Sequence, residues 1–434
     1  TVTYNAAVTV NTGGGTPRLV LNTTPASYAS YNGGSGTTTL TFQYIVGALE
    51  NSPDLDYAAV NSLELNGGTI TNGGNPTNNT LPTVGTFAGA HAIVIDNTAP
   101  TVTGINTSKA DGYYANGAVI DFVVTFSENV LVTVGGGTPR LKLNSGASVY
   151  AIFVSGGGST TLTFRYIVGA SDNTDDLDYS STSALETNGG TMKDSAGNNS
   201  TNTLPAVGTF AAAHAIAIDN TAPTIAPASC SMLSDNSAVL ITFSKKVWGN
   251  NSRTVAIAPA SFTVTFTAGD VTAASISGLY SDSACAVALS ATTGYSVVYA
   301  KLNNTGGPAS GVETIRLTAN TNSIYSGSGI VMVGTENTGT INYFDRRPPI
   351  ITARETADLD GDGYIDAIKI TFSKNIKDSS ITATDFDIAG VVGESFTSDT
   401  SGDLTDNDNV IFITFNDGVL TTSATPTVSY TKGT

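Results

Sequence analysis

Along residues 162–168 the chain alternates. Leu162, Phe164, Tyr166 and Val168 fall on one side of an extended backbone, and Thr163, Arg165 and Ile167 on the other. A period of two marks a strand with one face in a core. The preceding run, Val149-Tyr150-Ala151-Ile152-Phe153-Val154, reads as its partner, joined through the glycine-rich hairpin loop Ser155-Gly156-Gly157-Gly158-Ser159. Similar short runs of β-branched and aromatic residues, punctuated by Gly and Asn, fill the chain, while strong helix formers are scarce. The pattern predicts an all-β protein built of two-sheet sandwiches.

Self-comparison organises these strands. Gly13-Gly14-Gly15-Thr16-Pro17-Arg18-Leu19 recurs as Gly135-Gly136-Gly137-Thr138-Pro139-Arg140-Leu141, and Asp54-Leu55-Asp56-Tyr57 as Asp176-Leu177-Asp178-Tyr179, both at an offset of 122. One inserted residue later, at an offset of 123, Ile95-Asp96-Asn97-Thr98-Ala99-Pro100 returns as Ile218-Asp219-Asn220-Thr221-Ala222-Pro223. A period this long is a whole domain, not a solenoid repeat of about 20–50 residues. A second marker, Thr125-Phe126-Ser127-Glu128, is echoed by Thr242-Phe243-Ser244-Lys245 and Thr371-Phe372-Ser373-Lys374, each following a proline-bearing boundary. Four units are expected: residues 1–100, 101–223, 224–349 and 350–434. The first two are near copies, and the last two share mainly the Thr-Phe-Ser-Lys strand.

The combination of Thr-Phe-Ser-Glu-Asn-Val, Asp194-Ser195-Ala196-Gly197-Asn198 and Ile218-Asp219-Asn220-Thr221-Ala222-Pro223 resembles the bacterial immunoglobulin-like repeats of large secreted surface proteins. Those families include adhesin stalks, biofilm-associated proteins and surface-layer components. The resemblance covers the first two units well and the last two loosely. Unit one departs from it, reading Ile70-Thr71-Asn72-Gly73-Gly74-Asn75 where unit two has Met192-Lys193-Asp194-Ser195-Ala196-Gly197-Asn198. It implies tandem immunoglobulin-like sandwiches arranged as an extended rod, and extracellular, mostly non-enzymatic proteins.

Both ends read as cut. Thr1-Val2-Thr3-Tyr4 aligns with Val123-Val124-Thr125-Phe126, so unit one has no equivalent of residues 101–122, and unit four is about 40 residues shorter than units two and three. A sandwich without an edge strand exposes backbone and core. Either the sequence is a window on a longer array, or a neighbouring subunit donates the strand.

Composition narrows the partners. With 35 acidic and 18 basic side chains the net charge is −17, which opposes nucleic-acid binding. No apolar run reaches the length of a membrane helix. No signal-like segment follows Thr1, so any leader is expected to be removed or to lie outside this segment.

The strongest local motif is Asp358-Leu359-Asp360-Gly361-Asp362-Gly363-Tyr364-Ile365-Asp366. Asp358, Asp360, Asp362, the Tyr364 carbonyl and Asp366 resemble the start of a calcium loop, although its twelfth position is Lys369 and it runs into a strand. Ca²⁺ binding and a solvated acidic turn are the two readings. Asp399, Asp403, Asp406 and Asp408 form a second acidic loop, more simply read as solvated. Asp54, Asp56, Asp176, Asp178, the linker residues Asp96 and Asp219, and Glu128 either gather at junctions around Ca²⁺ or cap their own turns. Cys230 and Cys285 are expected to form a disulfide if the protein is extracellular, with two buried thiols as the alternative. Trp248 reads as core or interface.

No catalytic pattern emerges. His91 and His214 are repeat equivalents, each read as part of an Ala-His-Ala-Ile strand, without a nucleophile or a metal-spaced partner. The expected function is a non-enzymatic extracellular structural protein, a segment of an adhesin stalk or surface fibre. Its expected partners are copies of itself or flanking repeats of a longer chain. The alternatives are a filament or surface-layer protomer joined by strand complementation, and a carbohydrate- or protein-binding module.

Overall fold

The computed structural model describes residues 1–397, 407–416 and 418–431. It is all-β, with β-sandwich-like packing of several sheets. Among the described residues the one α-helix is Thr209–Ala213, and no helix is long and apolar enough to cross a membrane. Three of the four residues of the second acidic loop, Asp399, Asp403 and Asp406, lie outside the described residues.

The buried hydrophobic side chains gather in separate cores. Two small cores draw on residues 2–95, one on 102–218, one on 225–343 and one on 365–428. In the second of these spans the strand Val119–Thr133 organises everything. Its first part pairs antiparallel with Ser159–Ile167, with Ile120 opposite Tyr166 and Phe122 opposite Phe164. The alternation read from the sequence is therefore physical: Leu162, Phe164, Tyr166 and Val168 are all buried, while Ile167 points to solvent. The tail of Val119–Thr133 then leaves that ladder and pairs with Thr191–Lys193.

The change of partner happens at a bulge between Thr125 and Val130. Extra residues there kink a strand and re-aim its side chains. The residues released from the ladder are Phe126, Ser127, Glu128 and Asn129, which carry the recurrent motif. The strand Ala238–Val247 repeats the device, its register breaking between Thr242 and Val247. In the last unit Ser373 and Lys374 directly follow the end of Ala367–Phe372.

Two local expectations change. His214 lies not in a strand but at the C-terminal end of the Thr209–Ala213 helix, and the strand begins only at Ile216. The alanine run 211–213 favours a helical turn, which presses Phe210 onto Phe122 at 4.9 Å between ring centroids. Asp56 and Asp178 are buried turn anchors and do not reach the junctions. Each accepts the N–H of the tyrosine that follows it, at 2.8 and 2.7 Å, and that of Gly85 or Gly208, both at 2.6 Å.

Phe122 is fully buried at the centre of its core. Phe122→Ala should cost about 3–5 kcal/mol, read as a lower denaturant midpoint for the transition of residues 101–223.

Candidate functional site: the inter-unit clamps

The bulge residues meet the preceding linker in the same way three times. The Ser127 N–H donates to the Thr101 carbonyl at 2.8 Å, and the Thr101 N–H returns a bond to Ser127 Oγ at 3.0 Å. Ser244 makes this pair with Thr224, at 2.9 and 2.9 Å, and Ser373 makes it with Ile350, at 2.8 and 3.0 Å. Each partner stands directly after Pro100, Pro223 or Pro349. The proline fixes the approach, and the serine satisfies the first backbone groups beyond it.

The residue after the serine then faces the linker aspartate four positions before that proline. At the second boundary Lys245 Nζ lies 2.7 Å from Asp219 Oδ1 and donates to the Thr221 carbonyl at 3.0 Å and to the Thr221 hydroxyl. Ser328 Oγ donates to the other Asp219 oxygen at 3.1 Å. Asp219 is buried. Burial alone would raise its carboxyl pKa, but the Lys245 ammonium and the hydroxyls of Ser326 and Ser328 outweigh burial and hold it low.

The third boundary repeats the geometry. Lys374 Nζ lies 2.7 Å from Asp345 Oδ1 and donates to the Arg347 carbonyl at 2.6 Å. Lys374 first, and Arg347 beside it, hold the Asp345 carboxyl down at about 2.

The first boundary inverts the charge. The position of Lys245 and Lys374 is taken by Glu128, which faces the linker residue Asp96 and the buried Asp194. Oxygens of these three carboxylates all lie within 4.8 Å of one another. Asp194 comes from the turn 194–198 of the following unit, whose Asn198 side chain donates to the Asp96 carbonyl at 3.0 Å. Burial pushes the Glu128 carboxyl above its ordinary value, and repulsion from Asp96 and Asp194 adds to the shift. Burial works the same way on Asp194, but bonds from Asn198 and Gly197 outweigh it and hold that carboxyl low. A divalent cation fits this donor set, which is all hard oxygen.

The linkers are also tied backwards. The Asn97 side chain donates to the carbonyls of Gly47 and Glu50 at 3.2 and 2.6 Å, and Asn220 repeats this on Gly169 and Asp172 at 3.1 and 2.6 Å. At the second boundary Trp248 of the third unit meets the Tyr113 ring edge-on, 5.6 Å between centroids. A side chain on Gly327 would come within 2.5 Å of that tyrosine, so only glycine allows the approach.

In the Asp358–Asp366 loop, oxygens of Asp358, Asp360 and Asp362 also come within 4.8 Å of one another. Asp358 accepts the N–H groups of Gly361 and Gly363 at 2.7 and 3.0 Å. Asp366 is not one of the three; it accepts the Leu359 N–H at 2.9 Å. Tyr364 donates its own N–H to Asp362 Oδ1 at 2.9 Å.

Cys230 and Cys285 are both free thiols, so the expected disulfide is not formed. Cys230 precedes the strand Ser231–Met232 and Cys285 follows Val271–Tyr280, which are the two edges of one four-stranded sheet.

Sequence reasoning placed Asp96, Asp219 and Glu128 near junctions but missed their partners Asp194 and Lys245, and missed the Asp345–Lys374 pair of the third boundary altogether. The signal was present as the alternation of Glu and Lys after the shared Thr-Phe-Ser. No protein-family model matches the chain, and no curated protein matches it.

Lys245→Met should leave Asp219 buried without its ammonium, costing about 1–3 kcal/mol and raising the carboxyl pKa. In the unaltered protein the folded value lies below the unfolded one of about 3.9. That stability is therefore present above this pH and lost as pH falls through the folded value. Chemical denaturation at pH 3 and pH 7 should show the gap between variant and parent closing at the lower pH.

Proposed function

We propose that the chain is a non-enzymatic extracellular structural protein, a tandem immunoglobulin-like segment of a cell-surface stalk or fibre. The observation that carries this reading is the recurrence of one clamp at three boundaries. A serine paired with the post-proline residue fixes each unit to the linker before it, and at the second and third boundaries a lysine on the linker aspartate reinforces the joint. Such clamps limit bending, so load applied along the array passes through backbone hydrogen bonds and ion pairs, not through slack linkers. An extended rod follows from the reading. The histidines support a non-catalytic role: His91 and His214 stack on Phe87 and Phe210, and the His214 ring lies 2.6 Å from Asn106 Oδ1.

Ca²⁺ belongs to the same proposal. At the first boundary it takes the place that an ammonium holds at the other two, with Asp96, Glu128 and Asp194 as ligands. Asp358, Asp360 and Asp362 form a second site within the last unit. A proton competes with the metal at Glu128, so affinity at the junction falls as pH drops through that raised carboxyl pKa.

Saturating Ca²⁺ should raise the stability of residues 1–223 by about 2.7 kcal/mol at a hundred times Kd. Glu128→Lys should install the Lys–Asp pair in its place and abolish that response. Calorimetric melting with Ca²⁺ and with chelator reads both, and an unchanged response in the variant would remove the junction site.

A filament protomer joined by strand complementation is the second reading, favoured by the scarcity of the basic side chains that normally block edge-to-edge pairing of sheets: Lys and Arg together number 18 in 434 residues. Negative-stain micrographs of the natively isolated protein separate the readings: discrete rods of a few beads for a stalk, continuous filaments for a protomer. Compact particles with no axial order would refute both.

A further inference from the structure

The third unit lies inside the chain, and its two sheets present four edge strands. Three are protected in the usual ways. Ser231–Met232 and Ile341–Asn342 are only two residues long, and Val271–Tyr280 is broken by register shifts between Val271 and Ala273 and between Ile276 and Gly278. Short or bulged edges resist pairing with other chains. The fourth edge, Phe262–Thr267, reads Phe-Thr-Val-Thr-Phe-Thr, without charge, proline or glycine, and it pairs with Thr314–Ala319 in unbroken register.

The Ala319 N–H donates to the Glu336 carbonyl at 2.8 Å, and the Thr338 N–H donates to the Leu317 carbonyl at 3.0 Å. The odd-numbered residues of Thr314–Ala319 therefore face away from Phe262–Thr267, and the even-numbered ones bond to Thr263, Thr265 and Thr267. That leaves the backbone of Phe262, Val264 and Phe266 on the open side. The Phe262 N–H donates to the Pro259 carbonyl. The Phe262 carbonyl, and the N–H and carbonyl of Val264 and of Phe266, have no partner among the described residues. Thr263, Thr265 and Thr267 are exposed. Val264 and Phe266 are half-buried against the core, Phe266 meeting Tyr343 edge-on at 5.8 Å between centroids.

We propose that Phe262–Thr267 is a self-association edge, and that its occupant is the same strand of a second copy of this chain. The residues select that occupant, because Phe262-Thr263-Val264-Thr265-Phe266 reads the same in both directions. An antiparallel pair about a two-fold axis at Val264 sets Val264 opposite Val264, Phe262 opposite Phe266 and Thr263 opposite Thr265. The two Val264 residues exchange N–H···O bonds, and each Phe262 carbonyl accepts the Phe266 N–H of the other copy. The bond from Phe262 to Pro259 stays intact. Apolar side chains meet on the inner face and threonines on the outer face, both favourable cross-strand pairs. No charged residue lies between Arg253 and Asp270, so a chain of net charge −17 brings no like charges together along the paired strands. A slip of one residue would turn committed backbone groups towards the other copy, which fixes the register. The contact is isologous and closes at two copies. It goes beyond the proposed function, since neither the stalk nor the filament reading requires it.

Sedimentation equilibrium of the 434-residue protein should show a concentration-dependent dimer. Val264→Pro removes an N–H that the internal ladder does not use. It should weaken the dimer by about tenfold or more, the effect of two lost hydrogen bonds, while the circular dichroism stays that of the parent. Cysteine crosslinking reads the register. Thr263 and Thr265 of the two copies form non-hydrogen-bonded pairs with Cα atoms about 4.5 Å apart, within reach of a disulfide. Like positions lie on the diagonal at about 7–8 Å. An equimolar mixture of Thr263→Cys and Thr265→Cys proteins, treated with a mild oxidant, should therefore crosslink about tenfold faster than either variant alone. The parent, with Cys230 and Cys285, gives the background. A monomer at every concentration, a dimer that Val264→Pro leaves unchanged, or crosslinking no faster in the mixture overturns the proposal. If Val264→Pro does not fold, the crosslinking comparison decides alone. A dimer in this register from a protein that forms neither rods nor filaments refutes the proposed function and leaves the edge standing.

Discussion

A carboxylate at the edge of water needs a cation, and the boundaries of this chain are arranged around that requirement. The linker aspartate sits where two units meet. Asp219 is buried there, and a buried charge without a partner costs several kcal/mol, whereas Asp345 stays open to solvent. At two boundaries the partner is an ammonium delivered by the next unit, Lys245 to Asp219 and Lys374 to Asp345. Because donor and acceptor belong to consecutive units, satisfying the charge and fixing the geometry are one event. At the first boundary Glu128 brings a second negative charge and Asp194 a third, and the Ca²⁺ proposed there would meet the same requirement.

The bulge makes this possible. A residue in a regular ladder has its backbone committed to neighbouring strands, whereas a bulged residue is free to pair elsewhere. Ser127 and Ser244 stand where the ladder breaks, and Ser373 just past a strand end, so their N–H groups and hydroxyls are free for the linker. This explains why Thr-Phe-Ser is shared by units that otherwise diverge. The phenylalanine faces its own unit and the serine faces the linker. The fourth residue sets the charge of the joint.

Much of the fold was legible because strand alternation and internal repetition are local signals. Leu162 to Val168 gave their burial directly, and the offset of 122 located corresponding parts of the first two units. The site was legible only in half. Asp96, Asp219 and Glu128 lay beside prolines, in view, but Asp194 reaches the linker through the turn 194–198, which no periodicity reports. The cysteines failed as a pair because sequence separation says nothing about which edge of a sheet a residue occupies. Trp248 could be placed as core or interface, and it is both: the ring is buried and meets Tyr113 across the second boundary.

The two near copies carry the most general consequence. Phe42 and Phe164 occupy the same position in almost the same sequence, and only one is sealed. Residue identity fixed which side chains face inward. What covers them depends on a strand some forty residues earlier in unit two, so burial at that position is a non-local property. Each side chain of the unit-one wall is as apolar as its counterpart, and the hydrophobic driving force to cover it is the same.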